Sequence, residues 1–293
     1  MIMLVEKEDL VEFKQRLIVG SLLGIGTCCA ILYLSLSIII LLYGLINFCA
    51  AKEFSRFFNW TDIQRKIFLS LLFSTELLCY ITHKFNIQLG MDIINIISYI
   101  FIVIGFVWWI VAPLFLQYFI KNKKIFPVYP LILGLLIFFP CWFGIFRLSF
   151  MPIKNLLLLI GIICACDTCA YFIGKHFGKY PLSPHISPKK TFEGLIGGIC
   201  GSLVIFLIYV LLTQIKFKSM LPLLGLTFIT SIAGVVGDLF ESMLKRHAKI
   251  KNSGLILPGH GGIYDRIDSL IAAIPIFTFG LFLLKHYNPM FNL

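Results

Sequence analysis

Apolar residues in this chain come in long runs separated by short polar loops, and the runs are the length that crosses a bilayer. About 20 apolar residues in a helix span the hydrocarbon core. On that ruler the sequence predicts nine helical spans, near residues 17–34, 36–54, 67–82, 92–119, 128–146, 153–174, 192–213, 220–244 and 268–286. The stretch 17–51 is unbroken and reads either as a tight helical hairpin or as one long tilted helix. The expected fold is therefore all-α: a polytopic integral membrane protein of about nine transmembrane helices, with a polar site at the cytoplasmic end.

Composition agrees with the pattern. Of 293 residues, 59% are hydrophobic and 13% charged, and the mean hydropathy is +0.95, well above an ordinary soluble domain. The net charge of +11 could point to nucleic acid, but the basic residues sit in short loops and form no basic domain, so no nucleic-acid partner is expected. Topology accounts for them instead, because cytoplasmic loops collect Lys and Arg. With the N-terminus inside, only six of the 25 basic residues (Lys84, Arg147, Lys154, Lys216, Lys218 and Lys285) fall in outer segments. That bias favours nine spans, with the N-terminus and the longest polar loops in the cytoplasm. Residues 1–16 are polar, and no small-residue cleavage site follows, so the first span is expected to be retained. The nine cysteines all lie in apolar spans and are read as small hydrophobes. Cys164 and Cys166 would point about 200° apart on a helix, which does not suit a metal cluster.

The chemistry concentrates in residues 231–269, where Asp238, Glu241, Lys245, Arg246, His260, Asp265, Arg266 and Asp268 crowd beside membrane-grade sequence. Charges near hydrocarbon cost about 2.5 kcal/mol or more each, so they are normally paired, wet or functional. Asp238, Ser242 and Lys245 follow i, i+4, i+7 spacing and share a helix face, with Glu241 about 60° to one side. A plain Asp238–Lys245 pair reaching for the interface is the structural alternative. The next loop ends in Pro258-Gly259-His260-Gly261-Gly262, a glycine-rich turn that could bare backbone N–H groups to an anion. Asp265 and Asp268 then open the ninth span. Mg²⁺ takes one or two carboxylates plus phosphate oxygens and water, which Asp238 and Asp265 on successive spans could supply.

A second cluster holds Asp167, Tyr171, Lys175 and Lys179, then Ser187-Pro188-Lys189-Lys190 before the seventh span. Gly194, Gly197, Gly198 and Gly201 give that span a small-residue face suited to helix packing. Glu53 and Glu76 are isolated, and a structural partner is their expected lot. Neither common nucleotide-binding glycine motif occurs.

These residues resemble a known family. Ser242-x-Leu244-Lys245-Arg246, Lys251, then Gly254-x-x-Leu257-Pro258-x-His260-Gly261-Gly262-Ile263-x-Asp265-Arg266-Ile267-Asp268 is similar to the C-terminal motif of phosphatidate cytidylyltransferases, or CDP-diacylglycerol synthases. The segments around Asp167 and Ser187 resemble the same family, so the likeness covers roughly the C-terminal half. The chain departs from it at Asn252, where the family usually has Asp. The resemblance implies Mg²⁺-dependent transfer of the cytidylyl group of CTP to phosphatidate, with pyrophosphate released, and leaves room for a second cation. It implies that Asp238 and Asp265 hold metal. Lys245, Arg246 and Arg266 would neutralise phosphate, and Asp268 would orient a basic neighbour or a second cation. Ser242, Lys189, Lys190, His260, Gly261 and Gly262 would bind substrate, with Asp167 completing the wall.

The expected partners are thus CTP, phosphatidate and the lipid bilayer of the inner membrane, and a homodimer is compatible with this. Residues 1–127 are expected to form N-terminal transmembrane helices and 128–293 the catalytic transmembrane region. Two other readings stay open at this point. An ion-coupled transporter would place charges at the bilayer midplane, and a CTP-dependent lipid alcohol kinase would release CDP.

Overall fold

A computed structural model describes residues 26, 30, 32–123, 128–215, 217–254 and 261–287. Eight long helices follow one another: α1 (Leu36–Phe54, continued by a 3₁₀ turn at Ser55–Phe57), α2 (Asp62–Lys84), α3 (Gln88–Asn122), α4 (Pro130–Ser149), α5 (Ile153–Phe177), α6 (Phe192–Thr213), α7 (Phe217–His247) and α8 (Tyr264–Tyr287). Among the described residues, seven helices are long and apolar enough to cross a membrane; α2 is the one left out. The protein is an all-α, polytopic membrane protein. The first expected span, 17–34, lies almost entirely outside the described residues.

Each helix forms where its sequence lets it start and stop. α2 opens with a capping box: Thr61 accepts from the Gln64 N–H, and the Gln64 side chain accepts from the Thr61 N–H. Its buried residues Phe68, Leu72, Glu76, Cys79 and Thr82 recur every three or four positions, a single stripe against the bundle. α4 starts with Pro130 at its first turn, where a missing N–H costs nothing. It is the central helix, buried continuously from Ile137 to Phe146 and touching α1, α3 and α8.

Two close approaches shape the C-terminal half. Gly194, Gly197, Gly198 and Gly201 of α6 press on α5, where an added Cβ would strike Ala170, Ile173, Cys166 and Cys169. That face serves packing, as its spacing indicates. Between α5 and α6 lies a feature the spans do not announce, a two-stranded antiparallel hairpin of β1 (Pro181–Ser183) and β2 (Ser187–Thr191). Its end is tied into the next helix, because the Thr191 hydroxyl caps α6 by accepting from the Gly194 N–H at 3.1 Å.

Candidate functional site

The polar residues converge where the end of α7 meets the start of α8. Gly237 sets that meeting: a Cβ built there would lie 2.7 Å from the Ala272 Cβ and closer still to the Asp268 carbonyl. Only glycine lets the two backbones come this near. As a result, oxygens of Asp238, Glu241 and Asp268 all lie within 4.8 Å of one another.

Three carboxylates at that range repel strongly unless cations join them. Lys190 of β2 forms an ion pair with Asp238. The Lys245 ammonium donates to Glu241 Oε2 at 2.6 Å and to Asp265 Oδ1 at 2.7 Å. Glu241 is fully buried, and its Oε1 has no hydrogen-bond partner among the described residues. Asp268 Oδ1 accepts from the Ser269 N–H at 2.7 Å, and the Ser269 hydroxyl reaches Asp167 Oδ1 on α5 at 3.4 Å. An unpartnered buried oxygen inside a compact all-oxygen donor set fits a hard divalent cation such as Mg²⁺.

The geometry departs from the sequence expectation in particulars. Asp238 and Asp265 were expected to share one ion. Instead Asp238 groups with Glu241 and Asp268, and Asp265 stands one step away, joined to Glu241 through Lys245. The second oxygen of Asp265 accepts from the Ser253 N–H at 2.9 Å and the Gly262 N–H at 2.9 Å. The reason is local: Gly261, at φ +80°, turns the chain so that the N–H of Gly262 points back at Asp265. The alternative Asp238–Lys245 pair does not form, since Asp238 is taken by Lys190 and Lys245 by the acids beside it. Ser242 does share the Asp238 face, its hydroxyl 3.5 Å from Asp238 Oδ1.

Arg246 reaches across to the hairpin, its Nε donating to the Ile186 carbonyl at 3.1 Å. Ile186 is completely buried, so the hairpin tip is pinned while Lys190 at its base faces the acids. Lys189 and Arg266 are exposed at the same end of the molecule. His260 lies outside the described residues, as do Pro258 and Gly259.

Four members of this network are not among the site residues expected from the sequence. Glu241 carried a signal, being three residues from Asp238 and four from Lys245. Ser253 and Ser269 carried none, because a serine beside a loop or helix start is unremarkable until its partners are known. Glu53, from the far end of the sequence, also enters: its Oε2 accepts from the Ser253 hydroxyl and the Tyr264 N–H, both at 2.9 Å.

The sequence model of the cytidylyltransferase family matches residues 14–284, nearly the whole chain. The chain belongs to the cytidylyltransferase family. Similar family members include a phosphatidate cytidylyltransferase of Haemophilus influenzae, 37% identical over 189 residues that make up 60% of this chain and 66% of the relative. The phosphatidate cytidylyltransferase of Pseudomonas aeruginosa is 42% identical over 149 residues, 50% of this chain and 55% of its own. That of Bacillus subtilis is 48% identical over 118 residues, 40% of this chain and 44% of its own. The matched stretch thus spans between 44% and 66% of the length of these relatives. Identity rises as the matched stretch shortens, so the family likeness is most concentrated in part of the chain.

Proposed function

We propose that this cytidylyltransferase-family protein transfers the cytidylyl group of CTP to phosphatidate, forming CDP-diacylglycerol and pyrophosphate. The observation that carries the reading is the convergence of Asp238, Glu241 and Asp268, with Lys190 and Lys245 interleaved, at one end of a membrane-helix bundle. The names of the relatives supply the substrates.

In the reaction a phosphatidate oxygen attacks the α-phosphorus of CTP. A new P–O bond forms, the bond to the β-phosphate breaks, and the electron pair leaves with pyrophosphate. The lipid is itself the nucleophile, so no covalent protein intermediate is needed, and the protein supplies alignment and charge neutralisation. Asp238, Glu241 and Asp268 would hold Mg²⁺, with a second cation proposed beside Asp167. When bound, the cation would neutralise charge on the phosphates. Lys190 and Lys189 on β2, with Arg246 and Arg266 nearby, present positive charge to the triphosphate or the lipid phosphate. Asp265 fixes Lys245, which in turn fixes Glu241. Ser242 and Gly261-Gly262 are proposed to line the substrate side, together with His260.

The proposed setting is the inner membrane with nine spans, the N-terminus and the polar end in the cytoplasm, where CTP is available. That orientation rests on the asymmetry of basic residues. The division at residue 127 into an N-terminal helical part and a catalytic part belongs to the same proposal.

The test is direct. The chain purified in detergent, given CTP, phosphatidate and Mg²⁺, is expected to yield CDP-diacylglycerol and pyrophosphate, and chelation of divalent ions is expected to stop it. With diacylglycerol supplied as the acceptor in place of phosphatidate, release of CDP together with a newly phosphorylated lipid would instead establish the kinase reading.

A further inference from the structure

Glu53 sits at the end of α1, some 200 residues before the polar cluster, and is fully buried. It stands at the neck of the loop between α7 and α8. The loop leaves past Ser253 and Gly254 and returns past Gly262 and Tyr264, and all four meet this one carboxylate. Its Oε2 takes the Ser253 hydroxyl and the Tyr264 N–H. A Cβ added at Gly254 or at Gly262 would lie 2.7 Å from Glu53 Cδ. These glycines are therefore required by the carboxylate that fills the space where their side chains would go.

The Ser253 hydroxyl lies 2.9 Å from Glu53 Oε2 and 3.0 Å from Asp265 Oδ2, and it has one proton. Asp265 Oδ2 already accepts from the backbone N–H groups of Ser253 and Gly262. Among the described residues, Glu53 Oε2 accepts from one such N–H, that of Tyr264. The hydroxyl thus bridges the two carboxylates, within donating distance of each, and accepts from the Asp265 N–H at 3.3 Å. Rings hold the same corner from behind: Phe54, next to Glu53, packs on Phe138 at 5.3 Å and on Tyr264 at 6.3 Å between centroids.

We infer that Glu53 is a positioning residue for the transfer reaction, closing the neck of the 253–264 loop so that Asp265 holds Lys245 in register with Glu241. This rests on the cytidylyl-transfer reading. Glu53 touches no reacting atom; it acts through Ser253 and the backbone of Tyr264.

The test uses the full chain purified in detergent, with two readouts: melting temperature, and kcat and KM for CTP in the fraction that stays folded. Misplacing reacting groups by about 1 Å can cost on the order of a hundredfold, so Glu53→Ala is expected to lower kcat about tenfold or more with KM changed less than about threefold. Glu53→Gln keeps the accepting oxygen and is expected to hold kcat within about threefold of wild type. Glu76→Ala, which removes a different buried carboxylate on α2, is the control; it is expected to lower the melting temperature and leave kcat within about twofold. Wild-type kcat in Glu53→Ala, or an equal loss in Glu76→Ala, would overturn the inference.

If the wild-type chain makes no CDP-diacylglycerol, the proposed reaction fails and the thermal readout decides the lock by itself. Glu53→Ala and Ser253→Ala should then be non-additive in melting temperature, and additive losses would refute the contact.

Discussion

Two glutamates buried in the same bundle show how differently one residue type can be used. Glu76, on α2, is 7% exposed and accepts from a neutral donor, the Asn47 amide, at 2.9 Å. Glu241, on α7, is 0% exposed, meets the Lys245 ammonium at 2.6 Å and sits among two further carboxylates. One acid with an amide partner needs no ion and no opening, and it serves to join α1 to α2. Three acids with interleaved lysines gather negative charge at one end of the bundle, an arrangement suited to a further positive ion. Burial alone does not separate the acid that joins two helices from the one in the proposed cation site; the company it keeps does.

The sharpest way to break that contrast is to remove members of the charged group. Asp238→Ala or Asp268→Ala is expected to cut CDP-diacylglycerol formation about a thousandfold, the scale of losing a preorganised electrostatic stabiliser, with the detergent-purified protein still monodisperse. Near-normal turnover in either variant would take that residue out of the proposed cation site. Lys245→Met removes the cation shared by Glu241 Oε2 and Asp265 Oδ1, and breaking a buried pair from one side costs roughly 3–5 kcal/mol. A clear fall in melting temperature is the expected sign, and an unchanged melt would mean the acids have other partners. Gly237→Ala pushes α8 away from α7 and is expected to cost about tenfold in turnover, because reacting groups tolerate little displacement. Glu76→Gln preserves an acceptor for Asn47 and is expected to leave turnover within about twofold. A large catalytic loss there would erase the distinction between the two sites.

Much of this was legible from residues alone, for identifiable reasons. Helix positions follow from apolar run length, and the spans expected at 36–54, 153–174 and 192–213 coincide closely with α1, α5 and α6. The motif from Ser242 to Asp268 marked the polar end, since charges crowded so densely beside hydrocarbon are costly unless they are paired or at work. The partnerships were less legible. Helical spacing put Asp238 and Lys245 on one face, yet Lys245 turns to Glu241, four residues back on α7, and to Asp265 on α8, a neighbour that spacing on α7 cannot reveal. The hairpin went unseen because its strands are three and five residues long and carry Pro181 and Pro188. Glu53 looked isolated because nothing local says that Ser253, Gly254, Gly262 and Tyr264, some two hundred residues later, will meet it. The structural partner expected for it is present, and the surprise lies in which partner it is.

The length of α3 has a consequence for how the molecule meets its lipid. Its 35 residues make a rod of about 52 Å. Even leaning by about 40°, near the upper limit for membrane helices, such a rod rises about 40 Å through a hydrocarbon slab of about 30 Å. At least about 10 Å of its rise therefore stands among headgroups at any lean up to about 40°. Trp108 and Trp109 on this rod grip Phe240 edge-on at 5.8 and 5.6 Å, one residue from Glu241. A thinner or thicker bilayer thus pulls on the rod first and on the acids next, and turnover in vesicles of graded acyl length is expected to peak at one thickness; a flat profile would uncouple the two.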